Sequence, residues 1–298
     1  MRARSLEWQS KLILLVVLPC TAVSVVYQGR AYASTAPGVL WWTLGLSAAL
    51  GLIAWLTRAG TPAAAATGAL LTASLMFSTA GEPYSPWRTA LTPLLAFMVI
   101  TSAVTRFGRE RKQRLGTAEA KHGRGAAQVA ANLGLAALAA SLGAQQWLID
   151  SRWFSATGLA PLPVFAPVLA ALAEAAADTV SSEVGQVLGG RPWMVTTMRR
   201  VAPGTDGAIS LAGTLAGILA AAAVVASGGW ALHGDMRLFV LSWTGAVFGL
   251  FFDSLLGATV ERAGWLNNDA VNFLSTVSAA LFTVAVMMVT PHARISEF

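Results

Sequence analysis

Residues 174–210 read EAAADTVSSEVGQVLGGRPWMVTTMRRVAPGTDGAIS and carry two kinds of chemistry. Glu174 and Asp178 are spaced i,i+4, so one helix face presents both, and Glu183 follows a turn later. Carboxylates this close repel unless a cation or an arginine lies between them. They are also the hard oxygen ligands that Mg²⁺ takes. The plain alternative is a helix end at a membrane interface with its carboxylates reaching for water. Further on come Gly189 and Gly190, Thr196 and Thr197, Arg199 and Arg200, then Pro203-Gly204-Thr205-Asp206-Gly207. Arginines, hydroxyls and glycine amides hold phosphate. The glycines at 204 and 207 run into a helix start, where free amides attract anions. No GxxxxGK[ST] occurs, so this is not a Walker A loop. A turn capped by Asp206 or Ser210 is the competing explanation.

Three more clusters repeat the helical spacing. Asp253, Gly257 and Glu261 fall at i,i+4,i+8, with Gly257 leaving room for a ligand or another helix. Asp253 suits a metal or phosphate unless it simply pairs with Arg262. Asn268 and Asn272 share a face that Ser275 and Thr276 continue. An N-cap at Asn267 or Asn268, with Asp269 favouring the helix dipole, explains part of this stripe. It does not explain Asn272, a turn deeper, where an unpaired amide is costly. Arg124, Gln128 and Asn132 form the last stripe, preceded by Lys121. Topology anchoring is the rival role for Lys121 and Arg124, and a packing hydrogen bond is the rival for Asn132. His122, His233 and His292 are scattered, which argues against a histidine metal site. Gly213 and Gly217 make a GxxxG spacing that reads as helix packing.

The elements that must position these residues are membrane helices. The 298 residues are 55% hydrophobic and only 11% charged, against about 25% charged for soluble domains. Mean hydropathy is +0.62. Apolar runs fall near 11–28, 38–56, 63–80, 89–106, 127–148, 161–180, 208–228, 237–256 and 270–290. At about 20 residues per crossing these make about nine helices, an all-α polytopic domain covering residues 1–298 with its polar site within 121–276. Period-2 alternation is missing, so no strand is expected. The net charge of +6 does not indicate nucleic acid, because the basic residues sit at segment ends. The single cysteine, Cys20, excludes an intrachain disulfide. The N-terminal run imitates a signal peptide but reads as an uncleaved first helix. Arg106, Arg109, Arg111, Lys112, Arg114, Lys121 and Arg124 place one loop in the cytoplasm by the positive-inside rule. Counting outwards, the N-terminus and the loops at 183–206 and 259–269 are cytoplasmic and the C-terminus lies outside. A bacterial-type plasma membrane is the expected setting.

The same blocks resemble a known family. Ala177-Asp178-Thr179-Val180-Ser181-Ser182-Glu183-Val184-Gly185 is similar to the signature of the membrane family called domain of unknown function 92. So are Thr196-Thr197-x-Arg199-x-Val201-x-Pro203-Gly204-Thr205-x-Gly207, Asp253-Ser254-x-x-Gly257-Ala258 and Leu266-Asn267-Asn268-Asp269-x-Val271-Asn272. Gly125-Ala126-Ala127-Gln128-Val129-x-Ala131-Asn132 looks like a further block, departing at Leu133 where a glycine often follows. The resemblance spans roughly residues 40–290 and is strongest after 120. The family includes animal transmembrane protein 19 and the plant phytyl-phosphate kinase.

The resemblance implies a membrane kinase that moves a phosphoryl group from a nucleoside triphosphate, CTP or ATP, to an isoprenyl phosphate lipid. On that reading Asp178, Glu183 and Asp253 are the catalytic ligands of Mg²⁺, with Glu174 a lesser candidate. Thr197, Arg199, Arg200, Gly204, Thr205 and Gly207 hold the donor phosphates. Asn268, Asn272, Arg124, Gln128 and Asn132 complete the pocket and position the acceptor. Two alternatives stay open: nucleotidyl transfer to a lipid phosphate, and a lipid-phosphate transporter or flippase.

Overall fold

A computed structural model describes residues 6–117, 123–151 and 163–289. Its helices follow the apolar runs: α1 (Glu7–Thr35), α2 (Pro37–Leu56), α3 (Pro62–Ser78), α4 (Leu91–Arg106), α5 (Arg109–Leu115), α6 (Ala126–Ala140), α7 (Leu142–Asp150), α8 (Ala166–Leu188), α9 (Leu211–Ala231), α10 (Met236–Leu256) and α11 (Asn268–Val289). Most begin on a recognisable stop in the apolar pattern. Pro37 and Pro62 open α2 and α3, where a missing N–H removes no helical bond. Ser141, Ser210, Asp235 and Asn267 cap α7, α9, α10 and α11 by accepting backbone N–H groups three residues ahead.

Five helices are long and apolar enough to cross a membrane, or seven if each bent pair is one span. The bent pairs are α4 with α5, at 65°, and α6 with α7, at 49°. The sequence count of nine is therefore approximate. The sixth run departs most from its expected bounds. It starts at Ala166, with Pro167 in the first turn, and continues to Leu188, so Glu174, Asp178 and Glu183 all ride on α8. One small β element was also unexpected. β1 (Trp193–Met194) pairs antiparallel with β2 (Ala208–Ile209), folding residues 193–209 back on themselves.

Helix α8 is the hub, packed against α4, α6, α9, α10 and α11. From Ala166 to Ala177 every residue is buried. Its alanines let neighbouring backbones approach closely, as small residues do where helices pack in lipid. The GxxxG of α9 uses this: a Cβ on Gly213 would lie 2.5 Å from the Ser181 carbonyl oxygen, and one on Gly217 would lie 2.7 Å from that of Ala177. Large side chains such as Leu15, Trp41 and Trp42 face outward, as a lipid-facing surface requires.

The polar loops gather at one end of the bundle. Residue 60 is bridged to Arg124, Lys112 meets Glu183, Thr117 bonds to Gln186, and Gly207 packs on Ala258. The start of α1 joins them, with Gln9 and Ser10 bonded to Trp265, Asn267 and Asp269. The opposite end is marked by Arg88 stacked on Trp230 and by Gln145 bonded to the Ser78 carbonyl.

Candidate active site

Where α8, α10 and α11 meet, three carboxyl groups converge. Glu174 is 1% exposed, and its Oε1 has no hydrogen-bond partner. Gly249 on α10 makes room for it, since a Cβ there would fall 2.5 Å from Glu174 Cγ. Asp178, one turn along α8, lies within hydrogen-bonding reach of Asp253 on α10. Asp253 Oδ2 is fully buried and also lacks a partner. Ser275 of α11 sits against both Glu174 and Asp253 while donating to the Asn272 carbonyl at 2.8 Å. Glu261 approaches Asp178 from the π-helical turn Gly257–Glu261, and the positive charge of Arg124 acts on Asp178 from the α6 side.

Two of the predicted stripes come together here. Asn272 Nδ2 donates to Asn132 Oδ1 at 3.1 Å, joining α11 to α6. Gln128 is half-buried, one helical turn before Asn132, with Arg124 in the segment just ahead of α6. Buried acceptors without partners cost free energy unless a proton or a cation serves them. A site with two facing carboxyls, a third behind them, an amide pair and an arginine suits a cation together with phosphate oxygens.

Other predicted residues are placed elsewhere. Glu183 Oε2 accepts from Lys112 Nζ at 2.5 Å, and Lys112 also donates to the Val104 and Thr105 carbonyls. That bond engages one oxygen of the carboxylate expected to be a third metal ligand. Among the described residues no group of three His, Cys, Asp or Glu side chains is placed to hold a metal ion. Arg200 lies over the Trp193 ring, 3.6 Å from its centroid, and donates to the Arg191 carbonyl. Its guanidinium thus holds the β1–β2 element together. Arg199 and Thr197 are exposed on the same element. Gly204 and Gly207 have φ of +81° and +72°, and a Cβ would meet Thr117 Cγ2 at 2.6 Å and Ala258 N at 2.2 Å respectively. Close packing therefore explains both glycines without a bound anion. Thr205 turns its hydroxyl back to the Ala202 carbonyl at 2.8 Å. Asn268 is exposed at the start of α11, outside the cluster. Arg262, the suggested partner of Asp253, reaches Met194 Sδ instead. Lys121 lies outside the described residues.

Two groups carry no signal in the sequence. Lys112 stands among many loop cations, yet it is 1% exposed and ion-paired. Gln9 and Ser10 precede the first apolar run and gave no motif, yet they fix the turn ahead of α11. Nothing local in either signals a partner more than 70 residues away.

The profile of the family described as integral membrane protein DUF92 matches residues 45–280. An uncharacterised membrane protein of Methanocaldococcus jannaschii is 39% identical over 118 residues, which is 40% of this chain and 49% of that protein. One from Synechocystis is 31% identical over 205 residues, 67% of this chain and 74% of its own length. The chloroplastic protein VTE6 of Arabidopsis thaliana is 38% identical over 117 residues, 37% of this chain and 34% of that protein. The matched region thus spans about half of the archaeal relative and a third of the plant one. No solved structure matches.

Proposed function

The chain belongs to the DUF92 family of integral membrane proteins, and from that premise we propose that it phosphorylates an isoprenyl monophosphate. The γ-phosphoryl group of CTP or ATP is transferred to an oxygen of the acceptor phosphate. The new bond joins that oxygen to the γ-phosphorus. The bond to the β-phosphate oxygen breaks, so a nucleoside diphosphate leaves and an isoprenyl diphosphate remains.

The facing carboxyls of Asp178 and Asp253, with Glu174 buried behind them, carry this reading. Phosphoryl transfer needs positioning and charge neutralisation more than covalent chemistry. Mg²⁺ is commonly held by one or two carboxylates, its other positions filled by water and substrate phosphates. Asp178 and Asp253 fit that role, and the unpartnered oxygens of Glu174 and Asp253 are what such a site leaves in protein alone. When bound, the ion supplies positive charge at the transferring phosphate. Arg124 adds a fixed charge on the acceptor side. The amides of Asn132 and Asn272, locked by their mutual bond, orient phosphate oxygens through their remaining N–H donors. Arg199 lies free of the Arg200 stack and is the donor-loop residue best suited to reach a nucleotide. The surrounding alanine-rich packing keeps water from the transfer. The resemblance to the phytyl-phosphate kinase family supports the acceptor class, and the positive-inside rule supports a cytoplasmic site in a bacterial-type plasma membrane.

The test incubates purified full-length protein with Mg²⁺, a nucleotide panel and prenyl phosphates, with products read by mass spectrometry. Isoprenyl diphosphate and nucleoside diphosphate are expected. A nucleoside-diphosphate lipid with released pyrophosphate would replace kinase by nucleotidyl transfer. Movement of lipid phosphate across vesicles without nucleotide consumption would make the protein a transporter.

A further inference from the structure

Beside the carboxylate cluster, a cavity of about 540 Å³ opens between α2, α3, α4 and α6. None of the carboxylates lines it. Its inner wall is apolar, built by Leu94, Phe97, Met98, Val129 and Leu133. Its outer end is basic: Arg58, Arg106, Arg109, Lys112 and Arg124 line it, and no Asp or Glu does. The charge of Lys112 is matched by Glu183. Arg58, Arg106 and Arg109 are exposed at the rim. Thr105 also lines the cavity, and its Oγ1 is buried without a hydrogen-bond partner.

The rim is built to hold its shape. Thr61 N donates to the Arg124 carbonyl at 3.0 Å, and Arg124 N donates to the Ala59 carbonyl at 3.1 Å. This clasp ties the α2–α3 turn to the start of α6. Arg58 takes a left-handed conformation at φ 56°. Gly123 packs so tightly on that turn that a Cβ would lie 2.5 Å from the Arg58 carbonyl oxygen. The left-handed conformation of Arg58 closes α2 as a Schellman turn, with Arg58 N donating to the Trp55 carbonyl and Ala59 N to the Ala54 carbonyl, so the backbone that carries Arg58 is fixed. At the inner end Asn132 both lines the cavity and bonds Asn272 of the carboxylate site.

We propose that this cavity seats a single-chain lipid phosphate, distinct from any phosphate held at the carboxylate site. Its phosphate is bound by Arg58, Arg106 and Arg109, and its chain lies between α3, α4 and α6. Volume and lining suit a small amphiphile, since ligand pockets run about 300–1,000 Å³ with few polar groups. A single apolar chain matches the single apolar wall. The inference goes beyond the kinase reading, and its binding chemistry stands without it.

The experiment measures equilibrium binding of geranylgeranyl monophosphate to full-length protein in nanodiscs, without nucleotide. Two changes probe the two ends. Arg58→Ala with Arg106→Ala removes charge-assisted bonds to phosphate and should weaken binding by about tenfold or more, leaving geranylgeraniol unaffected. Gly68 lies in the α3 wall, and a Cβ there meets nothing nearer than Val129 Cγ1 at 4.0 Å. Gly68→Phe should therefore fill the cavity, abolish binding of geranylgeranyl monophosphate and spare short dimethylallyl phosphate. Gly68→Leu gives a smaller plug if the phenylalanine variant melts early. Unchanged affinity in the arginine and both Gly68 variants overturns the proposal. So does full displacement by equimolar phosphatidic acid, which would make the cavity a phospholipid site, or by inorganic phosphate, which would make the chain irrelevant. Binding as expected with no nucleotide-dependent product would sink the kinase reading and leave the lipid site standing.

Discussion

Asn272 on α11 donates a 3.1 Å hydrogen bond to Asn132 on α6, 140 residues away in sequence. The bond joins the carboxylate cluster to the basic-rimmed cavity, because Asn132 also lines the cavity. Interhelical hydrogen bonds in membranes average only about 0.6 kcal/mol, so losing this one should hardly change the melting temperature. Misplacing a substrate by about 1 Å can cost about a hundredfold in rate. Asn132→Ala and Asn272→Ala should each lower kcat/KM by that order. Because the two amides act as a unit, the double variant should be little worse than either single one. Losses that simply multiply in a double-mutant cycle would show that the pair is not one device.

Asp178→Asn and Asp253→Asn should each reduce kcat by about a hundredfold or more, the scale of losing several kcal/mol of transition-state charge stabilisation. Each keeps its volume and relieves like-charge repulsion, so thermal stability should hold or rise. Activity should then fall without loss of purified protein. An Asp178→Asn enzyme that turns over like its parent removes Asp178 from the site. Disappearance of both variants from the membrane would mark the carboxyls as structural.

Much of this site was legible because helical spacing survives folding. The i,i+4 spacing put Glu174 and Asp178 on one face of α8 and Asn272 on one face with Ser275, while the meeting of Asn132 with Asn272 and of Ser275 with Glu174 and Asp253 is seen only in the fold. What the sequence could not supply was pairing across helices. Glu183 sits in the same motif as Asp178, yet only the bend between α4 and α5 brings Lys112 to it. Arg200 looked like a phosphate ligand until the chain folded back and put Trp193 beneath it. The cavity was invisible for the same reason: its basic residues come from the α2–α3 turn, the α4–α5 bend and the start of α6, each of which alone reads as a topology anchor.

Lys112 and Glu183 form an ion pair with side chains 2% and 18% exposed. Breaking a buried pair costs about 3–5 kcal/mol, and the partial exposure of Glu183 puts this one at the low end or below. Glu183→Gln should lower the melting temperature of the purified protein without changing the Mg²⁺ concentration for half-maximal rate. Lys112→Met combined with Glu183→Leu should recover most of the stability, since no charge is then left unpaired. The opposite pattern, normal melting with a raised Mg²⁺ requirement, would return Glu183 to the metal site.

Gly190 and Gly207 share a left-handed backbone, at φ +61° and +72°. An alanine pays about 1–2 kcal/mol for that conformation at either position. Gly190 faces open space, whereas a Cβ on Gly207 would lie 2.2 Å from Ala258 N. Gly207→Ala should therefore destabilise the protein well beyond Gly190→Ala and expose residues 193–209 to limited proteolysis. Equal melting temperatures would show that the contact between this loop and the turn after α10 is not fixed in solution.

Contacts gather the loops of Arg58, Lys112, Arg124, Glu183, Gly207 and Arg262 at one end of the bundle. Many loop arginines and lysines lie there, and the positive-inside rule predicts that this end faces the cytoplasm. Gly116, Arg199 and Gly264 are exposed at this end, while Glu82 is exposed at the other. In a Cys20→Ser background, cysteines at Gly116, Arg199 and Gly264 should resist an impermeant thiol reagent in intact cells and react after lysis. A cysteine at Glu82 should react before lysis. Split labelling among the first three would dissolve the shared site, because Asp178, Arg124 and the donor loop would no longer face one compartment. Inverted labelling of all four would keep the site whole but turn it away from cytoplasmic nucleotide, and the kinase reading would fall with it.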